Sequence, residues 1–321
     1  MFVITTITIG VKMTNLKKIG LTALAGSLAV TGFAQAGELS VNGTARMEYQ
    51  SSKTSATAST DSFADNSSLV FSGSGELDNG MTVSYLQVQA SGTMTSQGVT
   101  LDMGDMGSIA MTNYNYGGIG TIQDMVPNGG EQPWDDLGTH GTPQQGVASP
   151  HAGNRLGYKT TAGGAIISAS MNYEQSEPTT SVAIQLPGLV EGLNIGAGMA
   201  TDAESATVEN DIDTYFATYT MGSVSVGIQN TKVDKVAATS DIERDSYGVT
   251  FAVNDNFSIG YGVSEVDFAD TTLSDEESTG IQASYTTGGM TIGLVNNVKD
   301  NAEGTAASDM EMTELKLTFA F

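Results

Sequence analysis

Strips of alternating apolar and polar residues, each about ten residues long, recur along almost the whole of this chain. The last of them shows the pattern plainly. Leu315, Leu317, Phe319 and Phe321 fall on one side of an extended strand, and Glu314, Lys316 and Thr318 on the other, because successive strand side chains point to opposite faces. Tight turns and long polar loops separate the strips in alternation. Connections that run short, long, short, long through about 16 strips are what an up-and-down barrel with two unlike rims requires. The expected fold is therefore all-β, a transmembrane antiparallel up-and-down β-barrel of about 16 strands. Closing the sheet on itself satisfies every backbone donor and acceptor and removes the edges, which lets strands cross lipid.

The first residues agree with export. Lys17 and Lys18 precede an apolar run over 19–30 and then Thr31-Gly-Phe-Ala-Gln-Ala36, the layout of a secretory signal peptide with an Ala-x-Ala cleavage site. The run is too short for a transmembrane helix, which needs about 20 apolar residues. Residues 1–36 are read as the signal, with Met13 as a possible true start, and 37–321 as the barrel. Cleavage removes Lys12, Lys17 and Lys18 from 12 basic residues, leaving nine against 36 acidic ones, a formal charge of −27. That balance excludes nucleic acid as a partner and favours cations over anions. With no Cys, there is no disulfide framework and no lipid-anchored N-terminal Cys.

The strips are placed at 39–49, 69–77, 81–90, 99–103, 108–112, 155–160, 165–173, 181–186, 193–199, 211–220, 224–230, 246–253, 257–263, 279–286, 290–296 and 311–321. Asp78-Asn79-Gly80 between two of them is a strong hairpin signal. Residues 51–66 read as a polar loop. One connection stands out: residues 113–154 carry no sustained period and hold four of the six prolines, the single Trp and both histidines. A structureless segment of that length is expected to be either functional or disordered. It is the third of the long loops.

These features together resemble the general diffusion porins of Gram-negative bacteria. The residues that carry the likeness are Gly37-Glu-Leu-Ser-Val-Asn-Gly-Thr-Ala-Arg46, Asn154-Arg-Leu-Gly-Tyr158 and the terminal Phe321. The signal and first strand are similar to those of alphaproteobacterial porins. The resemblance implies a sixteen-stranded homotrimer in the outer membrane, each subunit holding a water-filled pore narrowed by an inward-folded third loop. It also implies that Phe321 is a signal to the barrel-assembly machinery. Family members set acidic loop residues against a basic cluster on the wall, whereas this chain has few arginines.

Selectivity in such a pore is electrostatics and diameter. The loop candidates are Asp124, Glu131, Asp135 and Asp136; strand parity turns Arg46, Arg155, Lys159 and Lys316 inward on the wall. Tyr49, Tyr173, Tyr247, Tyr261, Phe257 and Phe321 read as interfacial aromatics, and Trp134 as an anchor for the loop. His140 and His151 have neither Cys partners nor ligand spacing, so no metal is expected. No Gly-x-Ser-x-Gly elbow, Gly-x-Gly-x-x-Gly turn or calcium-loop motif occurs, so neither catalysis nor a cofactor is expected. The reading is a passive outer-membrane channel for ions and small hydrophilic solutes, selective for cations, with outer-membrane lipids around it. Two other readings stay open: a non-conducting barrel with a structural or adhesive role, and an outer-membrane hydrolase.

Overall fold

The computed structural model describes residues 39–135, 137, 154–172, 178–205 and 208–321. The signal segment, Asp136, His140, His151 and Tyr173 lie outside the described residues. The strands are β1 (Leu39–Thr54), β2 (Thr57–Asp65), β3 (Ser68–Glu76), β4 (Thr82–Ala90), β5 (Thr93–Asp102), β6 (Ser108–Thr112), β7 (Arg155–Ala162), β8 (Ala165–Asn172) and β9 (Thr179–Pro187). They continue as β10 (Leu193–Ser205), β11 (Val208–Met221), β12 (Val224–Asp234), β13 (Ile242–Asn254), β14 (Phe257–Phe268), β15 (Glu276–Thr287), β16 (Met290–Asp300) and β17 (Met310–Ala320). Consecutive strands from β3 to β17 pair antiparallel, and β1 closes the ring between β17 and β3. The result is a closed antiparallel barrel of 16 strands, with β2 as one strand outside the ring.

Closure is built at the chain's two ends. Thr44 stands opposite Ala320, and Gly43 and Phe321 exchange two backbone bonds, N–H to O, of 2.8 and 3.0 Å. A Cβ at Gly43 would lie 2.9 Å from the Phe321 ring and from Leu69, so both side chains pack over this glycine at the seam. The alternation then sorts the faces. Met47, Val182, Met199, Ile228 and Leu294 are exposed on the outside, whereas Glu48, Asn297, Arg244 and Glu314 are buried on the inside.

Two stretches differ from expectation. The polar loop foreseen at 51–66 is instead the outer end of β1 and the whole of β2. Thr44 faces Ser68 and Met47 faces Asp65, so β2 continues β3 in one register, interrupted at residues 66 and 67. Its β-branched threonines favour extended backbone even without an apolar face to mark it. Likewise β5 begins at Thr93, turning on Ser91 (φ 48°) and Gly92 (φ 79°), the two left-handed positions of a tight hairpin. Outer ends that carry no apolar period still form strands, because the ladder continues wherever a partner runs alongside. The wall is thus uneven: β3 to β9 have five to ten residues and β10 to β17 eleven to fourteen.

Candidate functional site: the barrel lumen

After β6 the chain turns into the barrel through a single 3₁₀ turn, Gly118–Ile122. Three devices seat it on the inner wall. The first is apolar: Ile119 and Ile122 are buried against Ala183, Ala200, Ile212, Phe216 and Val233, with Met125 packed alongside. The second is a trough of inward-facing glycines. Cβ atoms at Gly227, Gly248 and Gly260 would collide with Pro127, Val126 and Gly129, and one at Gly280, on the fourth adjacent strand, would crowd Pro133 at 3.1 Å. The third is a set of wall amides that bracket loop backbone. Gln229 accepts from Met125 N–H (2.9 Å) and donates to the Ile122 carbonyl (2.9 Å). Gln282 accepts from Gly129 N–H (2.5 Å) and donates to the Glu131 carbonyl. Asn297 donates to the Gln132 carbonyl at 3.2 Å.

The loop therefore lies on the β9–β16 side of the lumen, and charge is arranged around it in three groups. On β1 and β17, Arg46 pairs with Glu48 (2.9 Å), Lys316 with Glu314 (2.7 Å), and Glu131 of the loop also pairs with Lys316. Gln50 donates to Glu314 at 2.7 Å. On β13 to β16, Lys299 pairs with Glu276 at 3.4 Å, and the Arg244 guanidinium sits 5.0 Å from the centre of the Trp134 ring, a cation–π contact. At the loop's root, Arg155 donates to Asn115 Oδ1 at 2.5 Å, and Lys159 lies 5.0 Å over the Tyr116 ring. Asp124 accepts from Gln123 at 3.0 Å, and burial holds its carboxyl up at about 7. Asp135 accepts from Gln132 N–H at 3.0 Å. Of the eight residues expected at the constriction, Glu131, Lys316 and Arg46 come together, Asp124 lies near Arg244 and Asp135, and Arg155 and Lys159 stand apart at the loop's root. Asp136 is outside the described residues.

The opposite side is open. A cavity of ≈ 520 Å³ is lined by Ser40, Ser72, Ser74, Ser84, Thr100 and Tyr114, with Leu86 and Gly98 between them. The register explains the opening. Ser40 faces Ser72, Ser74 faces Ser84 and Ser84 faces Thr100, so small side chains repeat across β1, β3, β4 and β5.

A sequence model described as Gram-negative porin matches residues 20–321. This chain belongs to the Gram-negative porin family. Solved structures share its fold. An anion-selective porin from Comamonas acidovorans aligns with TM-score 0.66 at 15% identity, covering 89% of this chain and all of that one. OmpT of Vibrio cholerae aligns with TM-score 0.63 at 13% identity, covering 91% of this chain and all of that one. A Rh. blastica porin mutant aligns with TM-score 0.62 at 15% identity, over 88% of this chain and all of the other. No curated protein matches by sequence. The porin is thus an outer-membrane channel protein and not an enzyme.

The residues expected at the constriction leave out part of the porin's lumen. Arg244, Glu276, Lys299, Glu48 and Glu314 all face inward and are buried. A signal for Arg244 exists, since it alternates with the outward Tyr247 and Val249 of its strand. It lies just outside the strip placed at 246–253, between the acidic Glu243 and Asp245, where no apolar period marks the strand. Trp134, expected to anchor the loop, is only 4% exposed beside Arg244. Tyr49, Tyr247, Tyr261 and Phe321 are exposed on the outer face, where amphipathic rings suit the membrane interfaces.

Proposed function

We propose that this porin conducts ions and small hydrophilic solutes passively, with a moderate preference for cations. The observation that carries the reading is the pairing of the lumen's bases. Arg46, Lys316 and Lys299 each contact a carboxylate, so three of the wall's cations are compensated, while the whole barrel carries a large negative charge. A reversal potential measured across a planar bilayer under a KCl gradient tests it. A cation-selective potential is expected; a zero or anion-selective one refutes the preference. The cavity beside the loop favours a conducting barrel over a plugged structural one.

The same reading holds the porin to be a homotrimer, exported with its signal cleaved after Ala36 and assembled through Phe321. OmpT of Vibrio cholerae has been solved in a trimer form. On this chain the support is chemical. Gln87 and Gln97 face each other on the outer side of β4 and β5, in line with the outward Phe71 and Leu69, and Tyr85 donates to Gln87 at 3.0 Å. Hydrocarbon offers no partner to the remaining donors of amides on that face, and a neighbouring copy would supply one. An unboiled sample should migrate as a heat-modifiable oligomer in gel electrophoresis.

A further inference from the structure

The outer face of β9 to β12 carries a groove that the conduction path does not use. Its volume is ≈ 410 Å³, and Thr180, Val182, Met199, Thr201, Asp211 and Asp213 line it with outward side chains. Register sets the lining in two rows. Thr180, Thr201, Asp211 and Asp234 stand abreast, and Val182, Met199 and Asp213 stand abreast one step nearer the inner rim. We propose that this groove holds a membrane lipid with a primary ammonium headgroup, the ammonium on Asp213 and Asp211 and the acyl chain on Val182 and Met199.

The row nearer the inner rim is apolar up to Asp213. Val182 and Met199 are 49% and 59% exposed. Below them the small Ala197 stands between the outward Ile184 and Tyr215, which leaves a furrow for a hydrocarbon chain. At the head of that furrow Asp213 makes no hydrogen bond or ion pair among the described residues. Asp211 accepts from the Thr201 hydroxyl at 3.3 Å. The base opposite Asp213 in register, Lys232, is held by Asp234 at 2.7 Å. A carboxylate without a partner at the border of an apolar band is unfavourable, and a cation that carries its own acyl chain satisfies both surfaces at once. No base lines the groove, so a headgroup whose only charge is negative is repelled there. A bridging divalent ion fits less well, because among the described residues no three His, Cys, Asp or Glu side chains are grouped to hold a metal. A primary ammonium needs fewer partners. Its three donors can reach Asp213, Asp211 and a threonine hydroxyl of the same rows, in charge-assisted bonds roughly twice as strong as neutral ones. A quaternary ammonium has no N–H and forms none of them.

The chain has no Cys, so a bimane fluorophore on Ile184→Cys reports from the foot of the groove without background. One on Leu294→Cys, outward on β16 and 52% exposed, reports from another part of the outer face. Each labelled porin would be reconstituted into dioleoylphosphatidylcholine vesicles. Brominated-chain phosphatidylethanolamine, phosphatidylcholine or phosphatidylglycerol then replaces a rising fraction of the lipid, with EDTA or with calcium, and bromine quenches the fluorophore on contact. At position 184, half-maximal quenching is expected at a several-fold lower fraction of the ethanolamine lipid than of the other two, with or without calcium. At position 294 the three lipids should quench alike. Asp213→Asn, an isosteric change at an exposed position, should weaken the preference, and Asp211→Asn with Asp213→Asn should erase it while the barrel stays heat-modifiable. If the double variant does not fold, Asp213→Asn alone decides. Equal quenching by the three lipids at position 184, the same preference at position 294, or a preference that survives the substitutions overturns the site. A preference for phosphatidylglycerol in calcium overturns it too. So does a fluorophore at position 184 that no lipid quenches, the sign that a second copy of the chain covers this face.

Discussion

Gly260 has no room for a side chain, because a Cβ there would lie 2.5 Å from the backbone nitrogen of Gly129. The contact is with backbone, which cannot rotate aside. Gly260→Val should therefore lift the loop off its trough, at an overpacking cost of about 1–3 kcal/mol, and leave the barrel closed. Single-channel records should show an altered and noisier conductance; an unchanged trace would mean that the loop accommodates the methyls. Asp124 makes a second test at this scale. It occupies left-handed backbone (φ 54°), which Asp tolerates better than most residues. Burial raises its carboxyl from 3.8 to about 7, so the folded porin binds that proton more tightly than the unfolded chain does. Its stability contribution is present below about pH 4 and is lost as pH rises towards about 7. The loop also loses a negative charge as pH falls through that upper value. Cation preference should weaken between about pH 8 and about pH 6, and Asp124→Asn should flatten that part of the profile in reversal-potential measurements.

At the scale of elements, alternation in the sequence locates the strands and the tight turns locate the inner rim, because both are written locally. Parity also turns Lys316 and Arg46 inward, as the structure has them. Where the loop lies is not written locally. That depends on Gly227, Gly248, Gly262 and Gly280 standing opposite one another across four strands, a register known only once the barrel is closed; in sequence each glycine merely weakens its strand. The outer extensions of β1 and β5, and the whole of β2, are hidden for a related reason: threonine-rich backbone pairs without an apolar stripe. The seam gives the prediction for this scale. Phe321 is bonded to Gly43 through both backbone groups, and its ring fills the space over that glycine. Phe321→Asp places a charge near an interface, which costs only about 0–1 kcal/mol of equilibrium stability. It should nonetheless lower the amount of porin assembled in the outer membrane, measured by heat-modifiability of membrane fractions. Normal levels would show that the seam closes without the aromatic ring.

Across the whole molecule, the large negative charge is not spread evenly. Register places Asp211 opposite Asp234, Asp245 opposite Glu265, and Glu265 opposite Glu277, which in turn faces Asp300. These carboxylates share the face of Tyr247 and Tyr261, so they sit outside the barrel near the far ends of β11 to β16. In the lumen, Arg46, Lys299 and Lys316 are paired with carboxylates instead. Selectivity should then come from two sources of different reach. The outer carboxylates act through solvent and fade over a screening length of about 8 Å at physiological salt, so cation preference should fall as KCl is raised. The loop acids act at contact. Glu131 holds a wall base, Lys316. Glu131→Gln removes one negative charge and also leaves that ammonium less compensated beside Glu314. It should move the reversal potential towards anions more than Asp124→Asn does, and a variant with Asp124, Glu131, Asp135 and Asp136 all replaced by Asn or Gln should move it further. Equal shifts for Glu131→Gln and Asp124→Asn, measured under the same KCl gradient, would mean that loop charge acts only as a diffuse sum and that the contact with Lys316 does not shape the pore's field.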